Sequence, residues 1–481
     1  SHWFDSSIAH FPHAQRSNSM SLSVVIGLGR SGIGAARLLK TQGSDVVILE
    51  KSERESCKRK SAELKDQGID VRLGQPLEIS SFEPWLNAMD QVVISPGISW
   101  THPTLEVLRT RGVPVKGEMA LAWESLKTRP WIGITGTNGK TTVTHLLHHV
   151  LSHSGLEAPM AGNMGYSAAE LALGCLDGSC PQPDWVVMEM SSYQIEAATE
   201  VAPRIGIWTT LTPDHLERHG SLDAYRAIKR GLMERSRLAI LNGDDPDISR
   251  TRCSWEQNQV NWVSTGRESS TSTSSRVTVS DDGWVCEGKR RLFRASALAM
   301  PGEHNRQNML LVTAAALEAG LDPEAIESAL RCFGGVPHRL ESLGTVQGIS
   351  VFNDSKATNY DAAAVGLKSV PNPVVLLAGG QTKQGDAQSW LQLLKERSSS
   401  VVLFGAGADE LRGLIEASSY PGAVISHRSL NEAVPNALEL ARQQRAASLL
   451  LSPACASFDQ YSDFEARGDH FRELIAANQS T

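Results

Sequence analysis

The chain has 481 residues, of which 41% are hydrophobic and 21% charged, with 53 acidic against 46 basic side chains and a net charge of −7. At roughly 150 residues per domain this is material for three domains, and no apolar run approaches the roughly 20 residues needed to span a bilayer. The acidic balance argues against nucleic acid as a partner, and seven scattered cysteines without a Cys-x-x-Cys signal neither a disulfide framework nor a zinc ribbon, so a reducing cytoplasm is the expected home.

Residues 1–19 lack the charged start and apolar centre of a secretory signal and are expected to be an extension ahead of the fold. Ser23–Ile26, a glycine turn, the helical spacing of Ile33–Leu39 and the buried-type strand Asp45–Glu50 then read as a βαβ unit. Strands at Gln91–Ile94 and Val113–Val115 complete a first domain over residues 20–116. A second α/β unit, 117–336, opens with the strand Trp131–Thr135, a Gly-rich loop and the helix Val143–Leu151. Further strands follow at Asp184–Met190, Arg204–Trp208 and Leu238–Leu241. The Ser/Thr-rich tract Ser264–Ser275 reads as a solvated loop, and Arg276–Val279 with Gly283–Cys286 as a hairpin. Strands at Ile349–Phe352, Pro373–Ala378, Ser400–Phe404 and Ser448–Leu451 alternate with helical stretches and mark a third α/β domain, 337–481. The fold class is α/β in three domains: a Rossmann-like N-terminal domain, a P-loop-type central ATPase domain and a Rossmann-like C-terminal domain.

Two glycine turns carry chemistry. Gly27-x-Gly29-x-x-Gly32 allows a tight turn and close approach of a phosphate to a helix N-terminus. Glu50 ends the next strand where a dinucleotide fold places its ribose-binding acid, so a nicotinamide-dependent oxidoreductase and a ligand-free packing turn both stand open at this point. The loop Gly133–Thr142 is the stronger signal, because strand, glycines, Lys140 and Thr141 run into a helix in the order that cradles an NTP's phosphates and a magnesium ion. It departs from the strict Walker spacing, with Ile134 where a glycine would stand. Glu189, the one acid at the end of an apolar strand, suits Mg²⁺, a hard cation that takes few protein carboxylates; the plain alternative is a solvated strand end. His215 and His219 are four apart, a spacing that could serve zinc on a helix, but Pro213 and Gly220 point to a short turn and no third ligand is near in sequence.

These motifs together resemble the Mur ligases, the ATP-dependent amide-forming enzymes of peptidoglycan precursor synthesis, from about Val24 to Phe471. The resemblance implies an ATP site of Gly136, Thr137, Asn138, Gly139, Lys140, Thr141 and Thr142, with Asn305 and Asn308 at the adenine and Arg339 at the phosphates. It implies a magnesium site of Thr141, Glu189, His215 and Lys229, the last matching a lysine that is carbamylated in many members. Read without the family, Lys229 would pass as a surface helix residue. Gly29, Arg30, Ser31, Glu50, Ser95, Pro96, Gly97, Asn163 and His215 match positions that face a UDP-sugar substrate, which removes the need for NAD at the first turn.

In the last third, Asn353–Asn359, Gly379–Lys383 and Ser452–Tyr461 resemble the branch of the family that adds D-glutamate. Lys356, Thr358, Lys383, Ser457, Phe458 and Phe464 are thereby implied around that amino acid, and a dicarboxylate does need cations and hydroxyl donors. Core packing is the competing reading for the two phenylalanines. The implied reaction joins UDP-N-acetylmuramoyl-L-alanine to D-glutamate through an acyl phosphate, with Lys140, His215, Lys229 and Lys356 as the catalytic set. Another Mur ligase, a folylpolyglutamate synthetase or a non-catalytic nucleotide-binding regulator are the other readings. A monomer is expected, with a site that needs closure by hinge rotation near residue 336. Solution scattering is expected to show a more compact particle with ATP and substrate than without; identical profiles would contradict the hinge.

Overall fold

The computed structural model describes residues 21–255, 259–266, 275–300, 302–382 and 385–479. The expected N-terminal extension, most of the Ser/Thr-rich tract and Lys383 lie outside these described residues. The chain divides into two compact units, Ser1–Leu330 and Arg331–Thr481. Among the described residues three sheets form, two in the first unit and one in the second.

The first sheet is parallel, from β1 (Leu22–Ile26), β2 (Asp45–Leu49), β3 (Asp70–Arg72), β4 (Met89–Ile94) and β5 (Val115–Gly117), in the order β3-β2-β1-β4-β5. The order reverses between β1 and β4, and in open α/β sheets ligands sit at the C-terminal strand ends at such a reversal. The glycine turn follows β1, and the Ser95–Gly97 loop follows β4. Both apolar faces of this sheet are covered, which is why its strands read as continuous Val/Ile runs rather than alternating ones.

The second sheet comprises β6 (Trp131–Thr135), β7 (Met160–Gly162), β8 (Val186–Glu189), β9 (Ile205–Trp208), β10 (Leu238–Asn242), β11 (Val260–Ser264), β12 (Ser275–Val279), β13 (Trp284–Glu287) and β14 (Arg290–Arg294). β6 lies between β8 and β9 and is parallel to both. The expected hairpin is present as the antiparallel pair β12–β13, which β14 extends. The helices Arg30–Thr41, Glu118–Leu126 and Ala168–Asp177 pack between the two sheets in one continuous core that includes Leu38, Leu39, Met119, Leu121, Leu171 and Trp131.

The second unit holds β15 (Glu341–Val346), β16 (Ile349–Asn353), β17 (Val374–Gly379), β18 (Ser398–Phe404), β19 (Ala423–His427) and β20 (Ser448–Leu451), in the order β15-β16-β20-β17-β18-β19. β16, β20 and β17 are adjacent and parallel, so the three motifs that follow them meet at one sheet edge. Arg467, fully buried, ties these segments together: it donates to Ser355 O at 2.7 Å, Ser355 Oγ at 3.0 Å, Cys455 O at 3.0 Å and Gly379 O at 3.4 Å. Burial lowers its pKa to about 10, which leaves it charged at neutral pH, with carbonyl dipoles in place of a carboxylate partner. No helix among the described residues is long and apolar enough to cross a membrane.

Replacing Arg467 by methionine removes its hydrogen bonds to three carbonyls and a hydroxyl, and each buried acceptor left unsatisfied costs about 1–3 kcal/mol. Calorimetry of the full chain is expected to show a transition destabilised by about 3 kcal/mol or more, and Arg467→Lys is expected to rescue little of it because an ammonium cannot span the same fork of acceptors.

Candidate active site

The loop after β6 enters its helix, Lys140–His153, through two glycines whose conformations other residues resist: Gly136 at φ +152° and Gly139 at φ +83°. A Cβ at Gly136 would run into Thr209 Oγ1, and one at Gly139 would stand 2.9 Å from Asn308 Oδ1. The loop is braced from the end of β9. Thr137 N donates to Thr210 O at 2.9 Å, Asn138 N to Thr210 Oγ1 at 2.9 Å, and Thr209 Oγ1 to Asn138 O at 2.5 Å. Asn242 Nδ2 in turn donates to Thr209 O at 2.8 Å. The helix N-terminus is thus held where an anion is favoured.

Two amines converge on this loop. Lys140 Nζ donates to Gly136 O and Thr137 O, both at 2.8 Å. Lys229 Nζ, from the helix Leu222–Arg235, donates to the same Gly136 O at 3.0 Å and to Thr135 Oγ1 at 3.2 Å. Lys229 is 1% exposed, which overturns its surface reading. Burial and the charge of Lys140 hold its pKa well below that of an ordinary lysine.

Glu189 is also 1% exposed, so the solvated reading of that strand end fails too. Its Oε1 faces Thr141 Oγ1 at 3.4 Å and accepts from Asn163 Nδ2 at 3.1 Å, while its Oε2 is buried with no hydrogen-bond partner. A buried carboxylate oxygen left without a donor, beside a hydroxyl at a phosphate loop, is the donor set a hard divalent cation takes. The residues therefore fit Mg²⁺. Among the described residues, no three or more His, Cys, Asp or Glu side chains are grouped to hold a metal unaided. His215 is exposed, in the left-handed region at φ +54°, and starts the one-turn helix Leu216–His219. Its ring lies 5.1 Å from that of Tyr193, as His219's does at 5.4 Å, and His219 Nε2 bonds Ser192 Oγ at 2.9 Å. Thr142, Asn305 and Asn308 are all buried.

At the first sheet, the expected UDP-facing residues cluster. Leu28 N donates to Glu50 Oε2 and Ser52 N to Glu50 Oε1, both at 2.8 Å, so Glu50 ties the end of β2 to the turn that holds Gly29 and Ser31. Ser95 N donates to Ile26 O at 3.1 Å, which brings the Ser95–Gly97 loop against the same turn. Asn163 comes from the second sheet, and Arg30 bridges the two groups by donating to Gly165 O. Arg218 adds a second bridge, donating to Ile98 O at 3.0 Å while lying over the Tyr193 ring.

In the second unit, Lys356 N donates to His338 O at 3.0 Å and Lys356 Nζ lies 5.6 Å from the centre of the Phe464 ring. Ser457 is buried at 2% exposure, Thr358 half-buried and Arg339 exposed. Phe458 is 68% exposed, so core packing is excluded for it. Sequence reasoning missed Asp354, which is 6% exposed and accepts from Leu340 N at 3.2 Å and Ser452 Oγ at 2.9 Å. Burial pushes its pKa up to about 7, against the opposing pull of these bonds and of Arg339. A carboxyl whose folded pKa is raised stabilises the fold fully below its unfolded pKa of about 4, and loses that contribution as pH rises through about 7. Thermal melts from pH 4 to 8 are expected to show this decline in the wild type and a flatter profile in Asp354→Asn.

Residues 21–117 match the family described as Mur ligase MurD-like, N-terminal domain; residues 134–316 match the Mur ligase middle domain; and residues 338–455 match the Mur ligase glutamate ligase domain. The chain is 61% identical to the UDP-N-acetylmuramoylalanine--D-glutamate ligase of Synechococcus sp. (strain CC9605), over 95% of this chain and 98% of that protein. It is 60% identical to the enzyme of that name from Prochlorococcus marinus (strain MIT 9313), over 95% and 99%. Among solved structures its fold is similar to MurF from Acinetobacter baumannii (TM-score 0.58, 19% identity, 95% and 93% covered) and to UDP-N-acetylmuramate-alanine ligase MurC from Thermotoga maritima (TM-score 0.57, 20% identity, 95% and 100% covered).

Proposed function

The chain belongs to the Mur ligase family, and we propose that it ligates D-glutamate to UDP-N-acetylmuramoyl-L-alanine at the expense of ATP, in peptidoglycan precursor synthesis. The observation that carries the mechanism is the braced phosphate loop with Lys140, Lys229 and the unsatisfied Glu189 oxygen gathered round it.

A carboxylate is a poor electrophile, so the L-alanyl carboxylate must first acquire a leaving group. Its oxygen attacks the γ-phosphorus of ATP, ADP departs, and an acyl phosphate results. The amine of D-glutamate then adds to the carbonyl carbon, phosphate leaves, and the new amide loses one proton. Gly136–Thr142 hold the ATP phosphates by backbone N–H groups, with Lys140 turning from its present carbonyl acceptors toward phosphate oxygens. Asn305 and Asn308 meet the adenine, and Arg339 offers a planar guanidinium to the phosphates.

Thr141 and Glu189 would hold Mg²⁺, completed by His215 and a modified Lys229; the ion would offset charge on the phosphoryl oxygens. Lys229 as an amine cannot ligate a cation while protonated; burial lowers its pKa and so favours the neutral amine, which adds to CO2, releases one proton and leaves a carbamate. Gly29, Arg30, Ser31, Glu50 and the Ser95–Gly97 loop hold the UDP handle, with Asn163 and His215 further along the substrate. Lys356, Thr358, Lys383 and Ser457 take the two carboxylates of D-glutamate, beside Phe458 and Phe464. The exposure of Phe458 supports a ligand-facing role.

A phosphate-release assay with UDP-N-acetylmuramoyl-L-alanine and a panel of amines tests the reading. Release is expected with D-glutamate and not with L-alanine or a diamino acid; no release with any amine would overturn it. Glu189→Gln is expected to lower kcat at least about a hundredfold and to weaken the response to added Mg²⁺.

A further inference from the structure

Glu118 opens the helix Glu118–Leu126 just after β5 and is 1% exposed. An acid at that position ordinarily faces water or serves its own helix. Here its Oε1 accepts the N–H of Ala169, 2.6 Å away on the helix Ala168–Asp177, and its Oε2 is buried with no hydrogen-bond partner. Burial pushes the carboxyl up to about 7; Glu170 adds to this as a like charge, and bonds from Ala169, Ser167 and Ala168 oppose it. A group this costly to bury has a reason to be kept.

The bond from Ala169 N joins two helices rather than completing one helix's own cap. The helix Ala168–Asp177 already has a complete capping box, Ser167 with Glu170. What distinguishes the place is that three elements meet there. The helix Arg30–Thr41, rising from the Gly27–Gly32 turn, presses Gly34 against it so closely that a Cβ would stand 2.6 Å from Ser167 Oγ and 3.0 Å from Glu170 Cγ. The helix Ala168–Asp177 is entered from the loop that carries Asn163. That loop is fixed at its other end by Asn163 N to Glu189 O at 2.9 Å and Asn163 Nδ2 to Glu189 Oε1 at 3.1 Å, and Arg30 reaches across to Gly165 O. The spacing between the turn for the UDP handle and the loop beside the phosphoryl-transfer site is therefore set at this junction.

We infer that Glu118 is a positioning residue for the UDP-substrate: its buried carboxylate anchors the N-terminus of the helix Ala168–Asp177 and so keeps the Asn163 loop in register with the Gly27–Gly32 turn. This deepens the functional reading above and rests on it. Glu118 touches no reacting atom, so its effect falls on recognition of the one substrate that spans both elements. ATP and D-glutamate engage other residues.

The test is steady-state phosphate release by the full-length protein, with each substrate varied in turn. Glu118→Gln keeps the shape and one acceptor but removes the charge. It is expected to raise KM for UDP-N-acetylmuramoyl-L-alanine about tenfold, with kcat and the other two KM values within about twofold. Gly34→Ala keeps Glu118 and forces the same helices apart, and it is expected to give the same KM signature. Thermal melts separate fold from function: lower melting with an unchanged KM would make Glu118 a stability residue and overturn the inference. Should Glu118→Gln fail to fold, Gly34→Ala decides, and an unchanged KM there overturns it equally. A wild type that releases no phosphate would instead sink the functional reading on which the inference stands.

Discussion

Two lysines donate to one carbonyl oxygen at the head of the phosphate loop, which brings two amines to one point of the first unit. Lys140 and Lys229 reach Gly136 O at 2.8 and 3.0 Å. Two ammonium groups at such range repel, and in a buried site the repulsion is poorly screened. Lys140 sits at the helix start where phosphate would arrive, so its charge has a use. Lys229 is buried against the same loop, and burial together with the charge of Lys140 lowers its pKa well below that of an ordinary lysine. Lys229 is buried against Gly136 at the loop, and Glu189, beside Thr141 at the start of the following helix, keeps one buried oxygen without a donor.

The second unit handles a buried cation in the opposite way. Arg467 keeps its charge and spreads it over carbonyl and hydroxyl acceptors from the segments that follow β16, β17 and β20. Its rigid fork makes it a template for the edge where Lys356, Thr358 and Ser457 are displayed. In both units the chemistry-bearing loops leave the C-terminal ends of parallel strands, and buried polar groups, more than loop length, fix where they point. Glu118 extends that pattern to the junction between the first two sheets.

The central strands, the two glycine turns and the family motifs were legible because their signals are local: continuous apolar runs, glycines at forced conformations and a lysine followed by hydroxyls. Short edge strands such as β3, β7 and β19 were not, since three to five residues are too few to show a period distinct from loop. Glu118, Asp354 and Arg467 escaped, and Lys229 was found only through the family resemblance, for a common physical reason. A charged side chain reads as solvent-facing, and only tertiary packing reveals that its helix or turn has been pressed against another element. For Glu118 one clue was present, an acid at the head of the apolar run Met119–Ala122. Phe458 shows the reverse, an aromatic residue whose exposure only the structure could reveal.

We propose that Lys229 leaves the lysine state and becomes an anionic ligand at the phosphate loop. Carbon-13 NMR of the full-length protein in labelled bicarbonate tests it most directly. The account predicts a carbamate carbonyl signal that disappears in Lys229→Arg and fades, together with activity, when CO2 is removed. A spectrum without that signal, from protein that is fully active and indifferent to bicarbonate, would contradict it.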